Sequence, residues 1–359
     1  MILLKKIDAV MTRTLFKLTA LSTVILCSNI LSACGNTNST VCVKLSADAL
    51  TSATRLTGDT VLVTEKKIYS AMYAGNGKIV TVNKGDRSIE IIDLKTGKLT
   101  DSLPNYGAED NIFISDFSRI YGDTLEILDA IKHQVAYYNL DSLAIIGAEY
   151  SPSIREFNID NETTVFSNVL PYGDRLLGLT PYCFKSQDGK IDNGDSRRFI
   201  ISDSTLTFHT DKYKFQTLNV SQGSVIVHPE RYRLAYLSPY DDILEIWEYS
   251  PLKKLYEITG PADIPNDYLI LDGGMIAVSS PSNRAYKTGT ATAEWLLSIF
   301  TLNNEAYIVK IDWDGTLLDS YCLGTIISPL AMSLSEDGKN IYLLQFLPDD
   351  RRALIRYRI

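Results

Sequence analysis

Histidine is almost missing from this chain. There are three, His133, His209 and His228, at spacings that suit no metal-ligand set. No GxSxG elbow, HExxH helix, GxGxxG turn or phosphate-binding loop occurs, so the usual signatures of hydrolases, metalloproteases and nucleotide enzymes are lacking and no cofactor is implied. Positive charge is short as well: 35 Lys and Arg stand against 43 Asp and Glu, for a net charge of -8. The basic residues are not gathered in one block, which argues against nucleic acid as a partner. Five cysteines are present, and Cys27 and Cys34 fall in the N-terminal segment. Cys42, Cys183 and Cys322 remain, too far apart for a CxxC site, and their odd number leaves at least one thiol unpaired within the chain. Apolar neighbours on both sides of Cys42 and Cys322 predict buried thiols.

Long hydrophobic runs are also rare. The exception is Leu18 to Leu31, preceded by Lys5, Lys6, Arg13 and Lys17. A basic stretch, a short apolar stretch and small residues after it form the layout of a secretory signal. Ser28, Asn29 and Ser32 interrupt a run already shorter than the roughly 20 residues that span a bilayer. Leu31-Ser32-Ala33-Cys34 resembles the lipobox of bacterial lipoproteins, which implies cleavage before Cys34 and lipid, palmitate included, on that residue. Several acyl chains would then hold the protein stably on a membrane. Gly35 after the cysteine, where an Asp would favour inner-membrane retention, implies by the same resemblance the outer membrane of a Gram-negative cell, periplasmic or surface face undecided. A start at Met11 would give a signal of more usual length. The expected organisation is a signal at 1–33, a lipidated Cys34 with a tether to 56, of which 35–40 is polar, and one domain from 57 to 359.

Beyond the signal, helical periodicity is not sustained, and short apolar or alternating runs recur between Gly, Asp, Asn and Pro turns. The chain reads as all-β. Lys78 to Leu103 sets the pattern: a run, a Gly-Asp turn, a second run, a Thr-Gly turn and a third run, hence an antiparallel meander. Six third strands can be centred on Ile92, Tyr138, Ile201, Trp247, Ile311 and Arg356, at steps of about 46, 63, 46, 64 and 45 residues, close to the repeat of a propeller blade. The two long steps hold polar segments, Lys185 to Arg197 and Ser282 to Glu294, which read as loops between strands. Second strands are expected after Gly77, Gly122, Gly173, Arg231, Gly274 and Gly338. They are apolar on both faces, as strands stacked between neighbouring blades should be. The prediction is a six-bladed β-propeller of four-stranded antiparallel blades. Its last unit is one strand short, and the N-terminal strand Asp59 to Lys66 is expected to close the ring.

Ser335-Glu336-Asp337-Gly338-Lys339 resembles the Ser-Pro-Asp-Gly-Lys hairpin of TolB-like propellers, with Glu336 where that family usually has Pro. With the lipobox, six units and Asp93-Leu94 or Asn139-Leu140 closing third strands, the chain resembles the TolB-like six-bladed propeller lipoproteins of Gram-negative bacteria. That resemblance implies partner binding more than chemistry.

Candidate binding residues come from the tyrosines, 21 in all. Three follow proline in related loops: Tyr172, Tyr182 and Tyr240, the last continuing into Asp241-Asp242. A stiffened loop bearing an apolar ring with a polar tip could line a channel mouth and hold a sugar or peptide, or simply seal blade ends. The expected function is a lipid-anchored, non-catalytic binding module for an envelope protein, peptide or glycan. The alternative is a propeller hydrolase or lactonase with an axial metal, for which Asp110, Asp116, Asp241 and Asp242 are the acidic candidates; such residues also cap turns. Trp247, Trp295 and Trp313 are expected between blades. Five Asp-Ser/Thr triplets, beginning at Asp59, Asp101, Asp123, Asp141 and Asp203, resemble an O-glycosylation acceptor motif and are equally ordinary turn formers.

Overall fold

In a computed structural model the chain folds into a ring of six blades. The structure describes residues 40–359 except 66–68, 84–87, 105–117, 130–131, 161–165, 180–182, 186–190, 193–198, 210–214, 217–222, 240–241, 263–267, 271–275, 279–284, 326 and 350. Blade 1 is Tyr69–Gly75, Lys78–Asn83, Ser88–Asp93 and Leu99–Pro104, and blade 2 is Ser118–Tyr121, Thr124–Asp129, Gln134–Asn139 and Ser153–Glu156. Blade 3 has Asn168–Tyr172, Arg175–Leu179 and Phe199–Ile201, and blade 4 has Ser224–Val227, Arg233–Leu237, Ile243–Tyr249 and Leu252–Thr259. Blade 5 is Tyr286–Ala291, Trp295–Leu302, Glu305–Asp312 and Leu317–Thr325. Blade 6 is Ile327–Leu334, Asn340–Phe346 and Arg352–Arg358, completed by Gly58–Thr64, which pairs antiparallel with the last strand. The N-terminal strand therefore closes the ring. All six predicted third strands are third strands here.

The ring is held at its seams. The buried apolar residues fall into six clusters, one for each pair of adjacent blades: Val80, Ile89 and Leu125 between blades 1 and 2, Leu128 and Phe166 between 2 and 3, Leu177 and Trp247 between 3 and 4. Ile246 and Phe300 lie between 4 and 5, Ile299 and Leu343 between 5 and 6, and Ile79 and Leu354 between 6 and 1. Period-2 alternation explains why the strands read as continuously apolar: Leu296 and Phe300 face one seam while Leu297 and Ile299 face the next. Trp247 and Trp313 are buried in these seams, and Trp295 is half-buried with the Lys310 ammonium 4.3 Å from its ring centre.

Three expectations about the blades need correction. Ile276–Val278, placed after Gly274, is not a second strand: it pairs only with Tyr268–Ile270, in a hairpin between blades 4 and 5. The true second strand of blade 5 is Trp295–Leu302, and the polar segment taken for a loop from Ser282 to Glu294 contains that blade's innermost strand, Tyr286–Ala291. The other polar segment does lie between strands two and three of blade 3, where Cys183–Lys185 pairs with Ile191–Asp192 and Phe215–Gln216. The third strand of blade 2 stops at Asn139, and a helix, Leu140–Ile146, follows because the Asn139 side chain accepts the Ser142 N–H at 2.9 Å as an N-cap.

The second half of the expected tether is built into the domain. Val41–Lys44 adds parallel to the outer edge of blade 4, a short helix spans Asp48–Thr51, and Thr54–Arg55 adds parallel to the edge of blade 5, before Gly58–Thr64 completes blade 6. Three consecutive outer edges are thus covered by one stretch of chain, which blunts the exposed strand edges that would otherwise invite aggregation. Edge alternation also corrects Cys42: it points outward and is exposed between half-buried Val41 and Val43, whereas Cys322 is buried as expected. Residues 34–39 lie outside the described residues.

Candidate functional site

The innermost strands run from the face carrying the turns between second and third strands, here called upper, to the face carrying the turns between first and second strands. They enclose an axial channel with two chambers, of about 170 Å³ above and 220 Å³ below. Blades 1, 2, 4, 5 and 6 supply the lining of both. Met72, Ile120, Gly289 and Met332 belong to both chambers and form an apolar waist. Gly289 is required there: a Cβ on it would lie 2.3 Å from both Ile226 Cδ1 and the Leu297 carbonyl oxygen.

Neighbouring inner strands are tied by polar bonds beside the channel. Ser224 donates to the Lys287 carbonyl at 2.6 Å, and Ser333 accepts the Ala74 N–H at 2.9 Å. At blade 3 the tie passes from blade 2 to blade 4, with the Arg119 guanidinium donating to the Val225 carbonyl. Opposite Arg119 across the strand pair stands Glu126, fully buried, accepting the Val169 N–H of blade 3 at 3.1 Å. Burial pushes the Glu126 carboxyl up to about 7, against the lowering effect of the Val169 bond and the Arg119 charge. The same desolvation brings Arg119 down to about 10, which leaves it charged at neutral pH.

The two chambers differ in charge. The upper one is lined by Arg119 and Lys287 with the hydroxyls of Ser118, Ser224 and Thr288, and its described lining contains no carboxylate. The lower one is lined by Tyr73, Tyr121, Thr290, Thr292, Ser333 and Glu336, with no cation among its described lining. Tyr73 donates to Asp141 at 2.7 Å, and burial with that carboxylate raises its phenol well above the ordinary value; burial does the same to Tyr121. Glu336 accepts the Asn76 backbone N–H. Its hairpin is fixed by Gly338 at φ 68°, by Ser335 donating to Asp337 at 2.6 Å, and by the Asn340 N–H donating to Ser335 at 2.9 Å.

The two predicted site residues that are described, Tyr172 and Asp242, are not brought together. Tyr172 sits half-buried at the lower end of blade 3, against Tyr232 and Tyr249 with ring centres 6.4 Å from each. Asp242 lies at an upper turn of blade 4, where its buried carboxylate accepts the Ala262 N–H at 2.9 Å. Those are opposite faces of the disc. Tyr182, Tyr240, Asp241, Asp110 and Asp116 lie outside the described residues. Part of the lining that the sequence reading missed comes from inner strands that are short or polar, Ser118–Tyr121 and Tyr286–Ala291. One signal was available: Glu336, where the hairpin departs from the TolB-like pattern, is on the lower chamber.

The remaining candidates are structural. His228 is buried, accepts the Glu230 and Arg231 N–H groups at 3.0 Å and lies against Trp313, and burial lowers its pKa. His133 stacks on Phe157, and exposed His209 bonds to Asp203 and Asp160. Among the described residues no three His, Cys, Asp or Glu side chains assemble as metal ligands. Two of the Asp-Ser/Thr triplets serve local structure: Asp203 accepts the Thr205 and Thr207 N–H groups at 2.8 and 3.0 Å, and Asp123 accepts Asn139 Nδ2 at 2.7 Å.

No protein-family model matches the sequence, and no curated protein matches it. Solved structures similar to it include an exported protein of Bacteroides fragilis, with TM-score 0.49 and 14% identity over 89% of this chain and 99% of that one. A calcium-binding protein, regucalcin, of Agrobacterium tumefaciens aligns with TM-score 0.44 and 9% identity over 85% and 96%. A luciferin-regenerating enzyme aligns with TM-score 0.45 and 10% identity over 85% and 95%. The chain is a six-bladed β-propeller, and these likenesses carry nothing about what it binds.

Proposed function

We propose that this protein is a lipid-anchored propeller of the bacterial envelope, related in role to the TolB-like lipoproteins, that binds a peptide, glycan or protein segment in its axial channel without transforming it. The two-chambered channel carries this reading. It has the size of a small-ligand site, an apolar waist, and hydroxyl, phenol and charged groups placed to orient what enters. The basic and apolar N-terminal segment ending in Leu31-Ser32-Ala33-Cys34 supports the anchor, with the outer membrane as the expected location. The binding site moves, relative to the sequence expectation, from the proline-tyrosine loops to the channel walls.

The test is affinity capture from the native envelope by the full-length chain, compared with the Tyr121→Ala and Glu336→Gln variants. A specific partner retained by the wild type and lost by either variant supports binding through the lower chamber; equal capture by all three places the partner elsewhere. Fractionation of a Cys34→Ala variant tests the anchor, which fails if the mature protein stays with the membranes. One equivalent of a tightly held divalent metal in the purified protein would turn the reading toward a hydrolase or lactonase.

A further inference from the structure

Resting on the lipid-anchor reading of Cys34, we infer that the lower face of the ring lies against the lipid bilayer, with Ile145, Ile146 and Tyr232 as its contact residues. Seven large apolar side chains are exposed among the described residues. Scattered over a surface, such residues need no explanation. Here six of the seven lie at one face. Third strands run from the upper face to the lower, so the helix Leu140–Ile146, which follows the third strand of blade 2, carries Ile145 and Ile146 on the lower side, 74% and 51% exposed. Fourth strands start at the lower face, and Leu99, Ile154 and Leu318 are each the first or second residue of one. Tyr232 is in the lower turn of blade 4, between Ser224–Val227 and Arg233–Leu237. Val63 alone of the seven is at the upper end, next to the last residue of Gly58–Thr64.

The path of the chain points to the same face. Val41–Lys44 runs parallel to Leu252–Thr259, the fourth strand of blade 4, with Val41 opposite Tyr256, and the Thr40 hydroxyl donates to the Lys254 carbonyl at 3.4 Å. The chain therefore enters the ring on the lower side and climbs. Six residue steps lead from Thr40 back to Cys34, a reach of about 20 Å at most, so acyl chains on Cys34 hold the lower rim of blade 4 close to the bilayer. Tyr232 on blade 4 and the two isoleucines on blade 2 flank blade 3, and a contact that starts at the anchor spans three neighbouring blades. Leu140, Leu143 and Ala144 bury the other side of the helix in the seam between blades 1 and 2, which fixes Ile145 and Ile146 outward. Aliphatic side chains at the acyl boundary and a tyrosine ring at headgroup level suit such an interface. A net charge of -8 gives no general attraction to anionic lipid, so the contact is apolar in origin. The lower chamber then opens toward the membrane and the upper one away from it.

The test places the lipidated full-length chain in phosphatidylcholine vesicles and uses brominated acyl chains to quench tryptophan fluorescence. The emission added by Ile146→Trp or by Tyr232→Trp should be lost in brominated vesicles, whereas that added by Val63→Trp should persist. Ile145→Ser with Ile146→Ser leaves the buried side of the helix intact and should restore the emission of Tyr232→Trp. Flotation separates docking from anchoring. A chain that floats with the vesicles but is quenched equally at positions 146 and 63, or at neither, is anchored without docking and overturns this proposal alone; a second copy seated on the lower face would give that result. A chain that does not float overturns both readings.

Discussion

Replacing Glu126 by Gln should make the protein less sensitive to rising pH. Glu126 is fully buried, and its carboxyl is pushed from 4.5 up to about 7 by desolvation. The folded chain therefore holds a proton that the unfolded chain has released, throughout the window between these two values. Stability must fall as pH rises through that window, and the loss levels off above about 7. Between about pH 5 and about pH 8 the loss from this one group is roughly 2.5 kcal/mol. Glutamine keeps the volume and an oxygen for the Val169 N–H but cannot ionise. Urea denaturation of wild type and variant at the two pH values gives the difference between them, in which all other titrating groups cancel. That difference should move in favour of the variant by roughly 2.5 kcal/mol on going from the lower to the higher pH. A change below about 0.5 kcal/mol would mean that Glu126 titrates near the ordinary carboxylate value, and the account of a desolvated carboxyl beside Arg119 would be wrong.

Other outcomes follow from the seams, the waist and the edges. Leu354→Ala, at a side chain 2% exposed between blades 6 and 1, should cost about 2–5 kcal/mol in a denaturation experiment. Gly289→Ala should cost about 1–3 kcal/mol, because one of the two atoms its Cβ meets is a backbone oxygen that cannot swing aside. The His209 ring, held by Asp203 and Asp160, should titrate above 6.5 by NMR, and Asp203→Asn should bring it down. Any stability it lends is full below its unfolded value and is lost as pH rises through the folded one. A maleimide should label Cys42 in the native chain, with Cys322 reacting only after unfolding; protection of Cys42 would contradict its outward position on the blade 4 edge.

The third strands were legible because they lie in the middle of each blade, buried on both faces, so the side chains that specify them are nearly all apolar: Ile89 and Ile91, Val135 and Ala136, Leu244 and Ile246. The closing strand was legible for the same reason of count, since an unpaired last edge needs a partner. Inner strands are different. Tyr286–Ala291 carries Lys287, Thr288, Gly289 and Thr290 because it borders a channel, and polar residues with a glycine have the composition of a loop. Gly274 and the run after it satisfied the pattern of a turn and a strand by local chemistry alone, and only tertiary pairing assigns Ile276–Val278 to a separate hairpin. The channel lining of blade 5 was missed along with its inner strand. Proline-tyrosine pairs drew notice as local motifs, whereas the channel lining is made of short runs about 40 to 100 positions apart, which only the ring brings together. Arg119 and Glu126 did have a local signature, an acid and a base at opposed positions of a hairpin, but that pattern is common on exposed strands too.

The seam at blade 6 also sets an order of events. Gly58–Thr64 pairs with Arg352–Arg358, and the Asp59–Arg356 ion pair at 3.1 Å joins residues 297 apart in sequence. A chain growing from its N-terminal side makes Gly58–Thr64 before blade 1 and Arg352–Arg358 only after blades 1 to 5. Blades 1 to 5 can each form by local meander, but the circle remains open until Arg352–Arg358 has been made, and loop closure over so long a separation is entropically costly and slow. The contact that locks the whole ring cannot form while any of Arg352–Arg358 is still to come.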